Sequence, residues 1–126
     1  MYKEVILNSE ISKVLSELGH GDFIAIGDCG LPIPEGVKKI DVALQPGVPS
    51  FEDVYALLKK SMHVEKKIYA IEAEDSDLLG VMDDGVSYEK VSHEKLKEML
   101  KHAKAVIRTG SVTPYSNVLM YSNVFF

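Results

Sequence analysis

L-G-H-G-D-F-I-A-I-G-D-C-G-L-P-I-P, residues 18–34, is the stretch on which the fold turns. Its centre, Phe23 to Gly27, is a short and almost wholly apolar run. That is the pattern of a strand buried on both faces, as in a parallel sheet covered by helices. Upstream, Ile11, Val14, Leu15 and Leu18 recur at i, i+3, i+4 and i+7, one apolar stripe of a helix. Asn8 or Ser9 can cap its start, and Gly19 can serve as the left-handed residue past its end. Downstream, Gly30 to Gly36 holds two prolines and is a loop. His20 thus follows a helix and Asp28 follows a buried strand, each set in glycine punctuation. A His and an Asp at neighbouring element ends form a candidate acid–base pair.

The alternation continues along the chain. Ile40, Val42 and Leu44 alternate with Asp41 and Ala43 as a second strand, and Pro46 to Pro49 is a turn. Ser50 caps a helix with Phe51, Val54, Tyr55, Leu57 and Leu58 on its apolar side. Lys67 to Ala73 reads as a strand, Asp77 to Met82 as a short helix, Asp83-Asp84-Gly85 as a turn and Val86 to Val91 as a short strand. Ser92 caps a helix over His93 to His102, with Leu96, Met99 and Leu100 inward. Ala105 to Arg108 and Val118 to Val124 complete the strands. Strands alternating with helices predict an α/β fold, a three-layer α/β/α sandwich with a mixed, largely parallel sheet of about six strands. Ligands of such sheets sit beyond the carboxyl ends of the strands, where Asp28 and the loop from Thr109 to Asn117 are expected.

The bulk numbers narrow the function classes. A chain of 126 residues suits a single domain spanning 1–126. The single cysteine, Cys29, rules out an internal disulfide and fits the cytoplasm. The run of roughly 20 apolar residues needed to span a membrane is absent, and no signal peptide is expected. A formal net charge of −5 argues against nucleic acid as a partner. The lysine pairs Lys38-Lys39, Lys59-Lys60 and Lys66-Lys67, and the run from Lys95 to Lys104, alternate with acids and read as solvated faces.

Each candidate site residue carries a functional and a bland reading. His20 can move protons near neutral pH, or simply complete a helix end. Asp28 is costly to bury without partners, or else caps the Gly30 turn. His93, in the first turn of a helix, suits a neutral imidazole hydrogen-bonded to a ligand, or lies idle on the surface. Tyr115 and Asn117, in T-P-Y-S-N, can bond polyol hydroxyls, or merely follow turn chemistry. Cys29 with His20 is a conceivable nucleophile pair, yet free cysteines are commonly just buried. His20, Asp28 and His93 lack metal-ligand spacing, and G-D-C-G at 27–30 lacks the length and lysine of a phosphate loop. No metal or cofactor is expected.

Taken together, L-N-S-E-I-S (7–12), L-G-H-G-D (18–22), D-C-G-L-P-I-P (28–34), I-D-V-A-L (40–44), G-V-P-S-F (47–51), S-H-E (92–94) and V-I-R-T-G-S-V-T-P-Y-S-N (106–117) resemble the D-ribose pyranase family. They resemble more broadly the sugar mutarotase superfamily that includes fucose mutarotase. The resemblance spans almost the whole chain, and G-L-P-I-P is similar to the ribose branch. It implies a cytoplasmic isomerase of ribose catabolism that interconverts the β-pyranose and β-furanose forms of D-ribose. It also implies His20 as proton donor and Asp28, His93, Tyr115, Ser116 and Asn117 as sugar-binding residues. Finally, it implies ring-shaped pentamers stacked into decamers, with sites between adjacent subunits. The chain departs from the family at Ser111, where Glu is usual, and at Asn123, where glycine is usual; the region from Asp75 to Gly85 is shortened.

The implied chemistry suits these residue types. Ring opening needs only proton movements, and imidazole, with an unperturbed pKa of about 6.5, serves both directions near neutral pH. Whether Asp28 orients His20 or holds a sugar hydroxyl stays open at this level. So do a mutarotase for another monosaccharide such as fucose, a non-catalytic sugar-binding accessory of a ribose transport system, and a Cys29-dependent hydrolase or redox protein.

Overall fold

The computed structural model describes residues 6–125. Helix α1 (Ser9–Glu17) starts where Asn8 Oδ1 accepts from the Ile11 N–H at 2.9 Å, and it buries Ile11, Val14 and Leu15. Strand β1 (Phe23–Gly27) is buried at every position. Strand β2 (Lys39–Asp41) is followed by helix α2 (Phe51–Ser61), whose first turn is capped by Ser50 Oγ accepting from Asp53 N–H. Strand β3 (Val64–Ala70), a 3₁₀ turn (Ile71–Asp75), the short helix α3 (Leu78–Val81) and strand β4 (Tyr88–Val91) follow. Helix α4 (His93–Met99), capped by Ser92, tightens into a 3₁₀ turn at Leu100–His102 before strands β5 (Val106–Arg108) and β6 (Val118–Ser122).

The six strands form one sheet in the order β2-β5-β1-β6-β3-β4. The pairs β2–β5, β5–β1 and β3–β4 are parallel, and only β6 runs against its neighbours β1 and β3. Alternate residues of β1 face opposite ways. Ile24 and Ile26 join α1 and α2 in one core, while Phe23 and Ala25 join Leu96 and Leu100 in the other. Helices therefore cover both sheet faces, which gives the expected three layers and mixed, largely parallel sheet.

Several boundaries differ from the sequence reading. The second strand stops at Asp41 rather than reaching Leu44. Asp41 Oδ1 accepts from Ala43 N–H at 3.1 Å and bends the chain away once β5 ends, leaving Leu44 exposed. β3 starts three residues early, because charged Glu65 and Lys66 conceal its first half, and it ends at Ala70 with its last pairing to Val91. Leu57, expected on the apolar side of α2, is 37% exposed. Gly21, not Gly19, takes the left-handed conformation (φ 88°), since Leu18 ends α1 extended and Asp22 Oδ2 holds the Gly19 N–H.

Lys67 contradicts the solvated reading of its lysine pair. Alternation along β3 turns it into the core, where it is 2% exposed. Its ammonium donates to Asp84 Oδ1 at 2.8 Å, to the Tyr55 hydroxyl at 3.2 Å and to the Met82 carbonyl. Tyr55 in turn donates to Asp84 Oδ2. Burial alone raises the Asp84 pKa, but the hydrogen bonds from Lys67, Tyr55 and the Val86 N–H outweigh it and hold the carboxyl at about 2. A depressed carboxylate pKa adds stability that is full above its unfolded value near 4 and is lost as pH falls toward 2. The contribution is about 2 kcal/mol. Acid unfolding of Asp84→Asn is therefore expected to lose stability less steeply than wild type between those limits. Asp84→Ala, which strands the Lys67 ammonium, is expected to cost about 3–5 kcal/mol in denaturant unfolding at neutral pH. Coupling it with Lys67→Met should recover much of that loss; no recovery would mean the pair does not act as a unit.

Candidate sugar-binding site

The sheet register gathers most of the candidate residues at one end. Gly27 pairs with Arg108, Ile26 and Tyr69 both pair with Val118, and Ala70 pairs with Val91. The next residues outward are Asp28, Thr109, Asn117 and the Ser92-His93 start of α4, all beyond the carboxyl ends of parallel strands. The close packing there depends on Gly27. A Cβ at that position would stand 2.5 Å from Leu31 Cδ2 and 3.3 Å from Asn117 Oδ1.

Asn117 ties the two central strands together. Its side-chain carbonyl accepts from the Asp28 N–H at 2.9 Å, which fixes the amide orientation and leaves Nδ2 as a donor. Nδ2 is buried and has no partner among the described residues. Asp28 bonds the Gly30 N–H through Oδ1 at 2.8 Å, so the turn cap expected as its bland role is present. A carboxylate oxygen has capacity for further donors, and Oδ2 is available for them.

His93 begins α4, and its N–H donates to both carboxylate oxygens of Glu72, at 3.0 and 3.2 Å. The anion at a helix N-terminus is favourably placed. The His93 ring meets Tyr115 edge-on, with centroids 5.1 Å apart, and its Nδ1 is buried without a partner among the described residues. Tyr115 is 38% exposed and stands at φ 62°. That conformation costs a residue with a Cβ about 1–2 kcal/mol. Ser116 is fully buried, and its hydroxyl is engaged by Ser111 Oγ and the Thr113 carbonyl. Contact between Ser116 and a ligand would therefore have to come from its main chain.

Two unsatisfied buried polar atoms, a carboxylate and a phenol thus share one patch. Leaving such groups unpaired costs roughly 1–3 kcal/mol each, and a hydroxyl-rich ligand removes that cost. A third unpartnered atom, His63 Nε2, belongs to the opposite end of the sheet, where His63 meets Phe125 edge-on. Among the described residues no cluster of His, Cys, Asp and Glu could hold a metal ion.

His20 is not with this group. Its turn precedes β1, Gly21 N–H bonds Ser122 O at the last residue of β6, and its ring pairs with Glu65 near the start of β3 at 3.2 Å. The five residues of β1 rise roughly 16 Å, far more than one pentose spans. Within one chain, Asp28 therefore does not orient His20, and Cys29 does not pair with it. Glu65 and Glu72 carried no sequence signal as partners of His20 and His93. Their roles depend on pairings across 45 and 21 residues. Arg108 also escaped the sequence reading. It forks onto both oxygens of Asp41 at 3.1 Å and donates through Nε to Cys29 O, bracing the turn after Asp28.

A sequence profile of the RbsD / FucU transport protein family matches residues 1–125. The chain belongs to that family. It is 53% identical to the D-ribose pyranase of Staphylococcus saprophyticus and 48% identical to that of Streptococcus uberis, covering 100% and 98% of both partners respectively. The structure of Bacillus subtilis RbsD complexed with D-ribose superposes with a TM-score of 0.92 at 46% identity over the full length of both chains. FucU from Bifidobacterium longum, at 18% identity over 95% of this chain and 97% of its own, matches with a TM-score of 0.80 and shares the fold.

The Asn117 clasp yields a direct test. Asn117→Ala removes the acceptor of a buried N–H and should cost about 1–3 kcal/mol in chemical unfolding, with loss of calorimetric ribose binding. Asn117→Asp keeps the acceptor oxygen, but it replaces the Nδ2 donor with a second acceptor and adds a buried negative charge beside Asp28. It should lose ribose binding; full binding by Asn117→Asp would exclude Nδ2 as a sugar donor.

Proposed function

We propose that this protein is a cytoplasmic isomerase interconverting the β-pyranose and β-furanose forms of D-ribose. The observation that carries the reading is the pair of buried, unpartnered atoms, Asn117 Nδ2 and His93 Nδ1, beside Asp28 and Tyr115. They occur in a chain about half identical to proteins named D-ribose pyranase. Asp28, His93, Tyr115, Asn117 and the main chain at Ser116 hold the sugar hydroxyls in this reading. Relatives at that identity favour ribose over fucose as substrate.

His20 acts as proton donor. It protonates the ring oxygen as the bond from C1 to that oxygen breaks, while the C1 hydroxyl loses its proton and the open aldehyde forms. The 4-hydroxyl then attacks C1 in place of the 5-hydroxyl. A proton returns to the new C1 hydroxyl, and the 4-hydroxyl proton leaves, so the product is an isomer with no net gain or loss. Because β1 separates His20 from the sugar-holding group, the site must close between two copies, His20 of one chain meeting the Asp28 end of another. Exposed Leu44, Val112 and Tyr115 at that end supply apolar surface for such a contact. The pentamer-on-pentamer decamer implied by the family resemblance satisfies this requirement.

General acid–base catalysis contributes about 10²- to 10⁴-fold, so His20→Ala should lower the pyranose–furanose exchange rate, measured by NMR exchange spectroscopy, by about that factor. Equal rates for His20→Ala and wild type would remove His20 from the chemistry. The transport description of the family favours a second reading, a non-catalytic ribose-binding accessory. Ribose binding with exchange no faster than in buffer would select it.

A further inference from the structure

We infer that Ser111 is a positioning residue for the sugar site. Its hydroxyl locks the loop that carries Tyr115, and its main chain ties that loop to the turn after Asp28. Ser111 and Ser116 are 6% and 0% exposed, so their hydroxyls serve the loop rather than solvent. Ser116 Oγ donates its one proton to the Thr113 carbonyl at 2.8 Å. The 2.8 Å contact between the two hydroxyls is therefore donated by Ser111. Ser111 Oγ accepts in turn from the Thr113 N–H at 3.2 Å. These three bonds close a circuit through residues 111, 113 and 116 with each hydroxyl proton accounted for.

Inside that circuit lies Tyr115, at φ 62°. A tyrosine keeps a left-handed backbone only where surrounding bonds enforce it. The enforced conformation sets the phenol edge-on to His93. The main chain of Ser111 reaches the other half of the site. Its carbonyl accepts from Cys29 N–H at 2.9 Å, and its N–H donates to Thr109 Oγ1, which itself donates to Gly27 O. One buried residue thus couples the Asp28 turn to the Tyr115 turn.

The inference rests on the reading that Asp28, His93 and residues 115–117 hold the sugar. The test is pyranose–furanose exchange against ribose concentration for the full chain, wild type, Ser111→Ala, Ser116→Ala and the double variant. Either single variant should raise the half-saturating ribose concentration about tenfold, with a smaller change in the exchange rate at saturation. The double variant should be no worse than the worse single, because both break the same circuit. If Ser111→Ala does not fold, Ser116→Ala carries the test with the same expected rise. Unchanged half-saturation in the folded single variants, or fully additive effects in the double, would overturn the role of Ser111. Loss of ribose on Tyr115→Phe or Asp28→Asn beside an intact Ser111→Ala would confine that failure to Ser111. Wild-type affinity in both Tyr115→Phe and Asp28→Asn would instead sink the site reading itself.

Discussion

The length of one buried strand governs the rest of this protein. β1 has no exposed residue: helices press on both its faces, and β5 and β6 flank it. It holds His20 at one end of the sheet and Asp28 at the other. In the proposed reading the proton donor, His20, lies at one end and the hydroxyl-binding groups, the His93 ring among them, lie at the other. The reversed strand β6 repeats the separation: Asn117 at its start belongs to the Asp28 end, and Ser122 at its last residue to the His20 end. A chemistry that needs both ends at once demands a second chain.

The Asp28 end is organised by hydrogen bonds between distant parts of the chain. Asn117 accepts from the Asp28 backbone across 89 residues, Arg108 braces Cys29, and Glu72 holds the first N–H of α4. Every one of these uses a polar side chain to satisfy a main-chain group at a strand or helix end. What remains unsatisfied, Asn117 Nδ2 and His93 Nδ1, is therefore conspicuous. The same economy explains why Gly110 has no side chain. A Cβ there would come 2.4 Å from Val48 O and 2.7 Å from Gln45 O, where the 45–48 turn crosses the end of β5.

Much of the fold was legible because it rests on local signals. The caps at Asn8, Ser50 and Ser92 and the apolar run of β1 lie in the sequence as short patterns, and the three layers follow from their alternation. What stayed hidden depends on register. Lys67 looks like half of a solvated pair until the pleat of β3 turns it inward against Asp84, seventeen residues away. His20 and Asp28 look like partners because only seven residues lie between them, yet five of those are extended strand. Motif resemblance supplied the candidate site residues, but the geometry divides them between two ends and turns the Ser116 hydroxyl inward.

The proposed shared site is tested most directly by mixing two disabled chains. His20→Ala spoils one end and Asp28→Ala the other, and each homo-oligomer should exchange ribose ring forms poorly. In randomly mixed closed rings, about a quarter of the interfaces would join two intact ends. The account predicts that the mixture regains on the order of a quarter of wild-type exchange by NMR. Activity no greater than the weighted sum of the two parents, in oligomers shown by native mass spectrometry to be mixed, would contradict it.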